Sequence, residues 1–288
     1  MPRVVLLTLV WLALAACSDH TDSLFSEARR AMEADNYETA ARLYQEITLQ
    51  APDSPIAAEA HYELAQIYYL RLRAVDAAKD ILVKMLHDYP DSSVDIDARR
   101  LLARLYEEDL QEPQRAVKLY RALLAEDLDE DVRRQTLLEI AHCRYRMGEF
   151  DASANAYRIA LRLPYHSDTD SAYMRLANLE RLGGSADESL RLLRELEERT
   201  AEDDYRHEAM LSEVEVLMSL GRFAAARERM SVIGSAFPDS ADVVELEARL
   251  HANELLHQSL DGEDEEALLQ ELQKKIRWGA GRRRRPPR

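Results

Sequence analysis

A repeat of 36 to 38 residues runs through this 288-residue chain and restricts its possible folds more than any other feature. In each copy a small residue is followed by an apolar residue four positions later and by another three positions after that. The six triplets are Ala40-Tyr44-Ile47, Ala78-Leu82-Met85, Ala116-Tyr120-Leu123, Ser153-Tyr157-Ala160, Ser189-Leu193-Leu196 and Ala226-Met230-Ile233. A second column keeps a similar spacing: Ala28, Ala65, Ala103, Ala141, Ala177 and Val214. Residues at i, i+4 and i+7 share one helix face, so each copy predicts helices that pack closely through their small residues.

Helix-ending residues lie at regular places between these columns. Gly148, Gly184 and Gly221 occupy equivalent positions, where glycine readily adopts the left-handed conformation that ends a helix. Prolines close four of the copies, at Pro52, Pro90, Pro164 and Pro238. Since an Asp or Ser follows most of these prolines, we expect that residue to cap the next helix. Each copy is thus predicted to be a helix, a tight turn and a second helix.

The pattern resembles the tetratricopeptide repeat (TPR) between about residues 24 and 240. Gly221, Phe223, Ala226 and Pro238 reproduce the second half of that family's pattern, whereas Pro113 stands at a position that is aromatic in the family. The resemblance implies an all-α, right-handed superhelical solenoid of about six helix-turn-helix repeats, with a capping helix over residues 241–258. The solenoid domain is therefore expected to span residues 24–258. A generic helical bundle is the alternative.

The N-terminus has the features of a lipoprotein signal. Residues 1–16 place one basic residue before an apolar run that is too short to cross a bilayer comfortably. The run ends in Leu14-Ala15-Ala16-Cys17, which resembles the bacterial lipobox, in which the cysteine is lipidated and becomes the mature N-terminus. An ordinary cleaved secretory signal is the alternative. With Ser18 next, the resemblance implies anchoring to the periplasmic face of the outer membrane of a Gram-negative bacterium, followed by a linker over residues 17–23.

Charge is distributed unevenly along the chain. The net charge is −16, which argues against nucleic acid as the main partner. Residues 259–288 are predicted to form an acidic hinge, a short amphipathic helix and a disordered basic tail. The tail includes Arg282, Arg283, Arg284 and Arg285, which suit contact with anionic lipid or peptidoglycan. The alternative interpretation is that the tail only keeps the protein soluble.

No motif of an enzyme, a cofactor site or a metal site is recognisable. His207-Glu208 begins like a zincin helix, but position 211 is Leu where the second histidine would stand. His142 and Cys143 are adjacent and point to different sides of a helix, so a shared metal is not expected. Cys143 is interpreted as a small buried hydrophobe, with an intermolecular disulfide as the alternative. We therefore expect no catalytic residues, no metal and no cofactor.

A partner-binding groove is the function that the resemblance implies. In the family, the second, fifth, ninth and twelfth positions of each first helix face the groove. Carried onto this chain, they predict a groove, locally basic, formed by Tyr62, Gln66, Tyr69, Arg100, Arg104, His142, Tyr145, Asn178 and Arg181. Tyrosine and arginine are residue types that dominate binding hot spots. An ordinary solvated helix face is the alternative.

With the lipobox, the chain resembles outer-membrane TPR lipoproteins of the BamD type and the repeat domain of the CpoB type. This resemblance implies a non-enzymatic scaffold that binds extended or helical segments of other envelope proteins, in β-barrel assembly or in Tol–Pal and cell-division coordination. A lipoprotein of pilus or secretin assembly is an alternative. A periplasmic glycan-binding protein or enzyme that uses the groove is a further one.

The lipobox yields the first prediction. Replacing Cys17 by Ser removes the thiol that would be acylated, so the variant is expected in the soluble fraction or as unprocessed precursor. Membrane fractionation and the mass of the mature N-terminus measure this. Normal processing and outer-membrane fractionation of the Ser variant would contradict it.

Overall fold

The computed structural model describes residues 20–54, 56–238 and 240–260, and these residues form helices joined by short turns without any strand. Helix α1 spans residues 20–33. The others are α2 (Tyr37–Gln50), α3 (Ala57–Gln66), α4 (Val75–Asp88), α5 (Asp95–Glu108), α6 (Pro113–Leu123), α7 (Glu130–Arg146), α8 (Phe150–Ala160), α9 (Asp170–Leu182), α10 (Ala186–Arg199), α11 (Asp203–Ser219), α12 (Phe223–Ala236) and α13 (Ala241–Leu260). The expected fold class, an all-α solenoid of helix-turn-helix repeats, is confirmed.

The chain divides into two compact units, Met1–Ser153 and Ala154–Arg288. In the first unit, each helix from α2 to α6 packs against the next one along the chain. In the second unit, α9 to α12 likewise pack against their successors, and α11 also contacts α9 and α13. Such contacts between near neighbours in sequence are typical of stacked helical hairpins.

Both columns of small residues lie in the core. Ala40, Ala78, Ala116, Ser153 and Ala226 have no exposed surface, and Ser189 is 1% exposed. The second column is equally buried, from Ala28 through Ala65, Ala103, Ala141 and Ala177 to Val214. Since alanine and serine leave room for a neighbouring backbone, these positions are where adjacent helices approach closely. The assignment of the columns to helix–helix contacts is confirmed.

In each described repeat, the first helix is followed by a residue in the left-handed backbone conformation. The predicted glycines are confirmed, with φ of 74° at Gly148, 88° at Gly184 and 67° at Gly221. The equivalent residues of the earlier repeats have positive φ as well, although they carry side chains: Asp35 (56°), Arg73 (53°) and Gln111 (53°). The turn is therefore a property of the repeat, and glycine only makes it easier to adopt.

The two 38-residue intervals have a structural cause. At the end of the first helix in these repeats, the amide of Leu72 donates to the carbonyl oxygen of Ile67, and that of Leu110 donates to Leu105. Each of these bonds spans five residues instead of four, as in a π-helical turn, and so adds one residue to the helix. In the second repeat the π-turn covers Ile67–Arg71.

The expected capping by Asp or Ser after the prolines is wrong at two junctions. The N-cap residues of α3 and α5 are Ile56 and Val94, and neither receives a side-chain capping bond. The junctions instead use the main chain, because the amide of Ala57 donates to Ser54 and the amide of Asp95 donates to Ser92. Backbone turns satisfy the groups that the cap was expected to bind.

The helical part of the chain begins earlier and ends later than the sequence predicts. Residues 20–23, expected in the linker, already belong to α1, because Thr21 and Leu24 are buried against the core. At the other end α13 continues to Leu260, beyond the expected end at residue 258. No helix within the described residues is long and apolar enough to cross a membrane.

Two glycines of the second unit give a matched test of the left-handed turn. Gly221 has positive φ, whereas Gly234 lies within α12 with no atom within 4 Å of an added Cβ. We expect Gly221→Ala to lower the free energy of unfolding by about 1 kcal/mol. Gly234→Ala is expected to raise it by about 0.5 kcal/mol. Denaturant unfolding measures both, and equal shifts would contradict the assignment.

His61 is a buried histidine whose ring nitrogens have no hydrogen-bond partner. The centroid of its ring lies 5.7 Å from the centroid of the Tyr89 ring. Burial lowers the pKa of His61, Lys84 lowers it further, and Asp88 opposes the shift. The unfolded chain therefore binds a proton at this site more readily than the folded chain.

This difference predicts acid sensitivity. Stability is expected to fall as the pH drops below about 6.5, by up to about 1.4 kcal/mol per pH unit, until the pKa of the folded state is reached. His61→Phe should remove that component, whereas replacing the exposed His87 by Gln should keep it. Unfolding midpoints between pH 5 and 8 measure the effect, and an unchanged pH dependence in His61→Phe would refute it.

Candidate functional site

In the first unit, α3, α5 and α7 place their predicted groove residues on one connected polar surface, here called the α3–α5–α7 face. Tyr62 and Gln66 of α3 are partly exposed and contact each other. Arg100 of α5 is close enough to Tyr62 to affect its pKa, and its Nη2 donates to Oε1 of Gln135 in α7 at 2.7 Å. These contacts bring residues of three successive repeats together.

Tyr69 is less accessible to a binding partner than its position in the repeat suggested. Its side chain is buried, and its hydroxyl donates to Oε2 of Glu108 at 3.2 Å. Burial raises the pKa of the Tyr69 phenol well above its ordinary value, and Asp109 and Glu108 raise it further. Tyr69 therefore ties the π-turn after α3 to the end of α5, which is a structural contact.

The α3–α5–α7 face carries acidic as well as basic side chains, which differs from the expectation of a locally basic groove. Arg104 is exposed, but it lies near the carboxylate of Glu139 on α7. Burial raises the pKa of Glu139, and the negative charge of Glu107 raises it further, while Arg104 lowers it. Acidic and basic side chains of α5 and α7 thus lie beside one another on this face.

Glu107 is the centre of this charge distribution. Its side chain is 3% exposed, and Oε1 lies 3.0 Å from Nδ1 of His142 and 3.7 Å from Nη1 of Arg146. Burial alone would raise the pKa of Glu107, but contacts with His142, Cys143 and Arg146 hold it below its ordinary value. Glu107, Glu139 and His142 each offer one ligand atom, and these atoms lie within 4.8 Å of one another.

Sequence reasoning found His142 but missed the two carboxylates beside it. Glu139 and His142 are three residues apart, a Glu-x-x-His spacing that puts both on one helix face and that carries metal ligands in some helical bundles. Glu107 lies 35 residues before His142, which is close to one repeat length. The spacing within α7 was visible, whereas the contribution of α5 depends on the packing.

Cys143, next to His142, is buried and forms no disulfide. Burial and the nearby Glu107 carboxylate raise the pKa of its thiol. A buried, protonated thiol is a poor nucleophile, and the interpretation of Cys143 as a small core residue fits these surroundings.

Tyr145 completes the set of predicted groove residues in the first unit. Its ring packs edge-on against that of Phe150, with 5.5 Å between the centroids. Phe150 is 52% exposed, so the two rings form an aromatic surface at the end of α7.

In the second unit, Asn178 and Arg181 of α9 are both exposed, and Nη2 of Arg181 donates to Oδ1 of Asn178 at 2.8 Å. Arg181 also lines an open cleft of about 530 Å³ between α9, α11 and α13. The cleft walls include Glu215 and Arg249, which form an ion pair at 2.9 Å. Cys17 and Arg282–Arg285 lie outside the described residues.

Comparison with known proteins agrees with this architecture. A family profile described as "Tetratricopeptide repeat" matches residues 25–93 and 138–205. A second, described as "Tetratrico peptide repeat", matches residues 103–170. Together the two profiles cover more than half of the chain. No curated protein matches the sequence.

Several solved structures are similar in fold. The C-terminal part of a TPR repeat-containing protein from Cytophaga hutchinsonii is 13% identical, with a TM-score of 0.62 over 86% of this chain and 93% of that one. A tetratricopeptide repeat protein from Parabacteroides merdae is 17% identical, with a TM-score of 0.55 over 88% and 97%. PilF of Pseudomonas aeruginosa is 13% identical, with a TM-score of 0.54 over 81% and 99%. At these identities the similarity concerns the fold alone.

Proposed function

Because this chain belongs to the tetratricopeptide-repeat family, whose members bind other proteins, we propose that it is a non-enzymatic scaffold for envelope assembly. In this proposal Cys17 is lipidated and holds the protein at the periplasmic face of the outer membrane. The solenoid then extends into the periplasm and binds segments of other envelope proteins. Assembly of β-barrels and Tol–Pal coordination are the processes that the sequence resemblance favours.

The observation that carries the proposal is the α3–α5–α7 face. Arg104 is exposed, the side chain of His142 is 42% exposed, and Tyr62 and Gln66 are partly exposed. These side chains come from three successive repeats, and many shallow contacts of this kind add up along an extended partner. The mixed charge of the face suits a segment that carries both acidic and basic residues.

The chemistry of the described residues also supports a non-enzymatic role. The thiol of Cys143 has a raised pKa and is buried, so it does not provide a reactive nucleophile. The cleft of the second unit is open, and the ion-paired Glu215 and Arg249 are part of its lining. An open surface of this kind suits a protein segment better than an enclosed small molecule.

Paired substitutions test the face. Arg100→Ala with Arg104→Ala removes two cations from α5, and we expect in-cell crosslinks to the partner to fall at least fivefold. The matched control is Lys118→Ala with Arg121→Ala, which removes the same charge from exposed positions on α6 of the same unit. Crosslinking in intact envelopes followed by mass spectrometry measures both, and circular dichroism checks folding.

The control pair should keep its crosslinks. If the α5 pair keeps them too, and deletion of residues 271–288 abolishes them, the tail is the binding element and the proposed face is wrong. Loss of the crosslinks in both pairs would show that total charge matters and would also overturn the assignment to α5.

A further inference from the structure

We propose that Glu107, Glu139 and His142 form a binding site for one divalent transition-metal ion of the Zn²⁺ type, joining α5 to α7. The site lies within the first unit and shares His142 with the α3–α5–α7 face, but metal binding by the isolated chain does not depend on the proposed scaffold function. It combines one imidazole with two carboxylates, which is a donor set that Zn²⁺ accepts. Ca²⁺ and Mg²⁺ prefer oxygen ligands alone, so the imidazole argues against them.

The distances between the donor atoms are compatible with a shared ion. Ligand atoms about 2.1 Å from a metal lie about 3.0 Å apart at right angles and about 3.4 Å apart in a tetrahedron. Oε1 of Glu107 and Nδ1 of His142 are 3.0 Å apart. All three donor atoms lie within 4.8 Å of one another. Bringing the widest pair to the tetrahedral separation takes a movement of at most about 1.4 Å. A different rotamer of the partly buried Glu139 would provide that movement.

A buried atom without a hydrogen-bond partner points to a missing ligand. Oε1 of Glu107 is shielded from solvent and accepts no hydrogen bond of normal geometry, although Nδ1 of His142 lies 3.0 Å and Nη1 of Arg146 lies 3.7 Å from it. A buried carboxylate oxygen in that state is costly unless something else binds it. Since ligand atoms of Glu139 and His142 lie within 4.8 Å of that of Glu107, a cation placed among them would satisfy the carboxylate.

Electrostatics also favours a cation here. Glu107 and Glu139 carry like charges in partly desolvated surroundings, and the carboxylate of Glu107 raises the pKa of Glu139. A dication would neutralise both carboxylates at once. The Cys143 thiol contacts Glu107 as well and helps to fix the orientation of that carboxylate.

Arg146 is the group that competes with the ion. Its Nη1 lies 3.7 Å from Oε1 of Glu107 and donates to the main-chain oxygen of Glu107 at 3.2 Å. The side chain is 40% exposed, so it is able to move into solvent. Its charge nevertheless opposes a dication, and removing it should strengthen metal binding.

An ion bound at this site would link two successive repeats. Glu107 comes from α5, whereas Glu139 and His142 come from α7. An ion held by both helices binds the folded state only, so it stabilises the first unit in proportion to the logarithm of its concentration. In a tetrahedral site, three protein ligands leave one position for water.

Titration of the untagged full chain with Zn²⁺ tests the proposal. Isothermal calorimetry should show one saturable site, and the thermal unfolding midpoint should rise with Zn²⁺ but not with Ca²⁺. We expect Glu107→Gln and His142→Gln each to weaken Zn²⁺ binding at least tenfold. The exposed His87→Gln, a histidine of the same unit away from the site, should bind as the parent does.

Arg146→Gln distinguishes a metal site from a network of ion pairs. It should tighten Zn²⁺ binding at least threefold, because a competing positive charge is removed. Absence of a saturable site, or binding that persists unchanged in His142→Gln, would overturn the proposal. If Glu107→Gln fails to fold, His142→Gln decides the question, since its side chain is 42% exposed and tolerates replacement.

Discussion

Close approach of neighbouring helices at the columns of small residues is the interaction on which the rest of the structure depends. These alanines and serines have almost no exposed surface, and larger residues such as Tyr44, Leu82 and Leu196 fill the space beside them. The packing fixes how far each repeat is shifted from the next. Polar side chains one repeat apart therefore meet, as Arg100 does with Gln135 and Arg222 with Asp187, each pair 35 residues apart.

The fold also requires a tight turn between the two helices of each repeat. The chain forms this turn in two ways. Three repeats use glycine in the left-handed conformation, while the earlier three hold Asp35, Arg73 and Gln111 there at a cost in backbone strain. The bond that closes the turn spans five residues at Asp35 and at the glycine turns, as from the amide of Arg222 to Leu217. It spans six at Arg73 and Gln111, where the amides of Ala74 and Glu112 donate to Tyr68 and Tyr106. The free energy of tertiary packing offsets this backbone strain, because each turn positions two helices against the neighbouring repeat.

The buried charges around Glu107 are a consequence of the same shift between repeats. A carboxylate that is 3% exposed is brought against His142, Arg146 and the carboxylate of Glu139 by the packing of α5 near α7. Such a cluster costs desolvation energy that a simple solvated helix face would avoid. Together with the exposed Arg104 and the partly exposed Tyr62 and Gln66, this cluster gives the α3–α5–α7 face both buried charges and accessible polar side chains.

The sequence by itself determined the fold class, the repeat length, the buried columns and the three glycine turns, because each depends on local helix periodicity and backbone conformation. It also located most of the exposed residues of the α3–α5–α7 face, since their register within a repeat is fixed. Only the tertiary structure decided that Tyr69 is buried against Glu108, that the face is of mixed charge, and that Glu107 joins Glu139 and His142. The reason is physical: these contacts link different helices, so they depend on the shift between repeats and on rotamers, which helix periodicity does not determine.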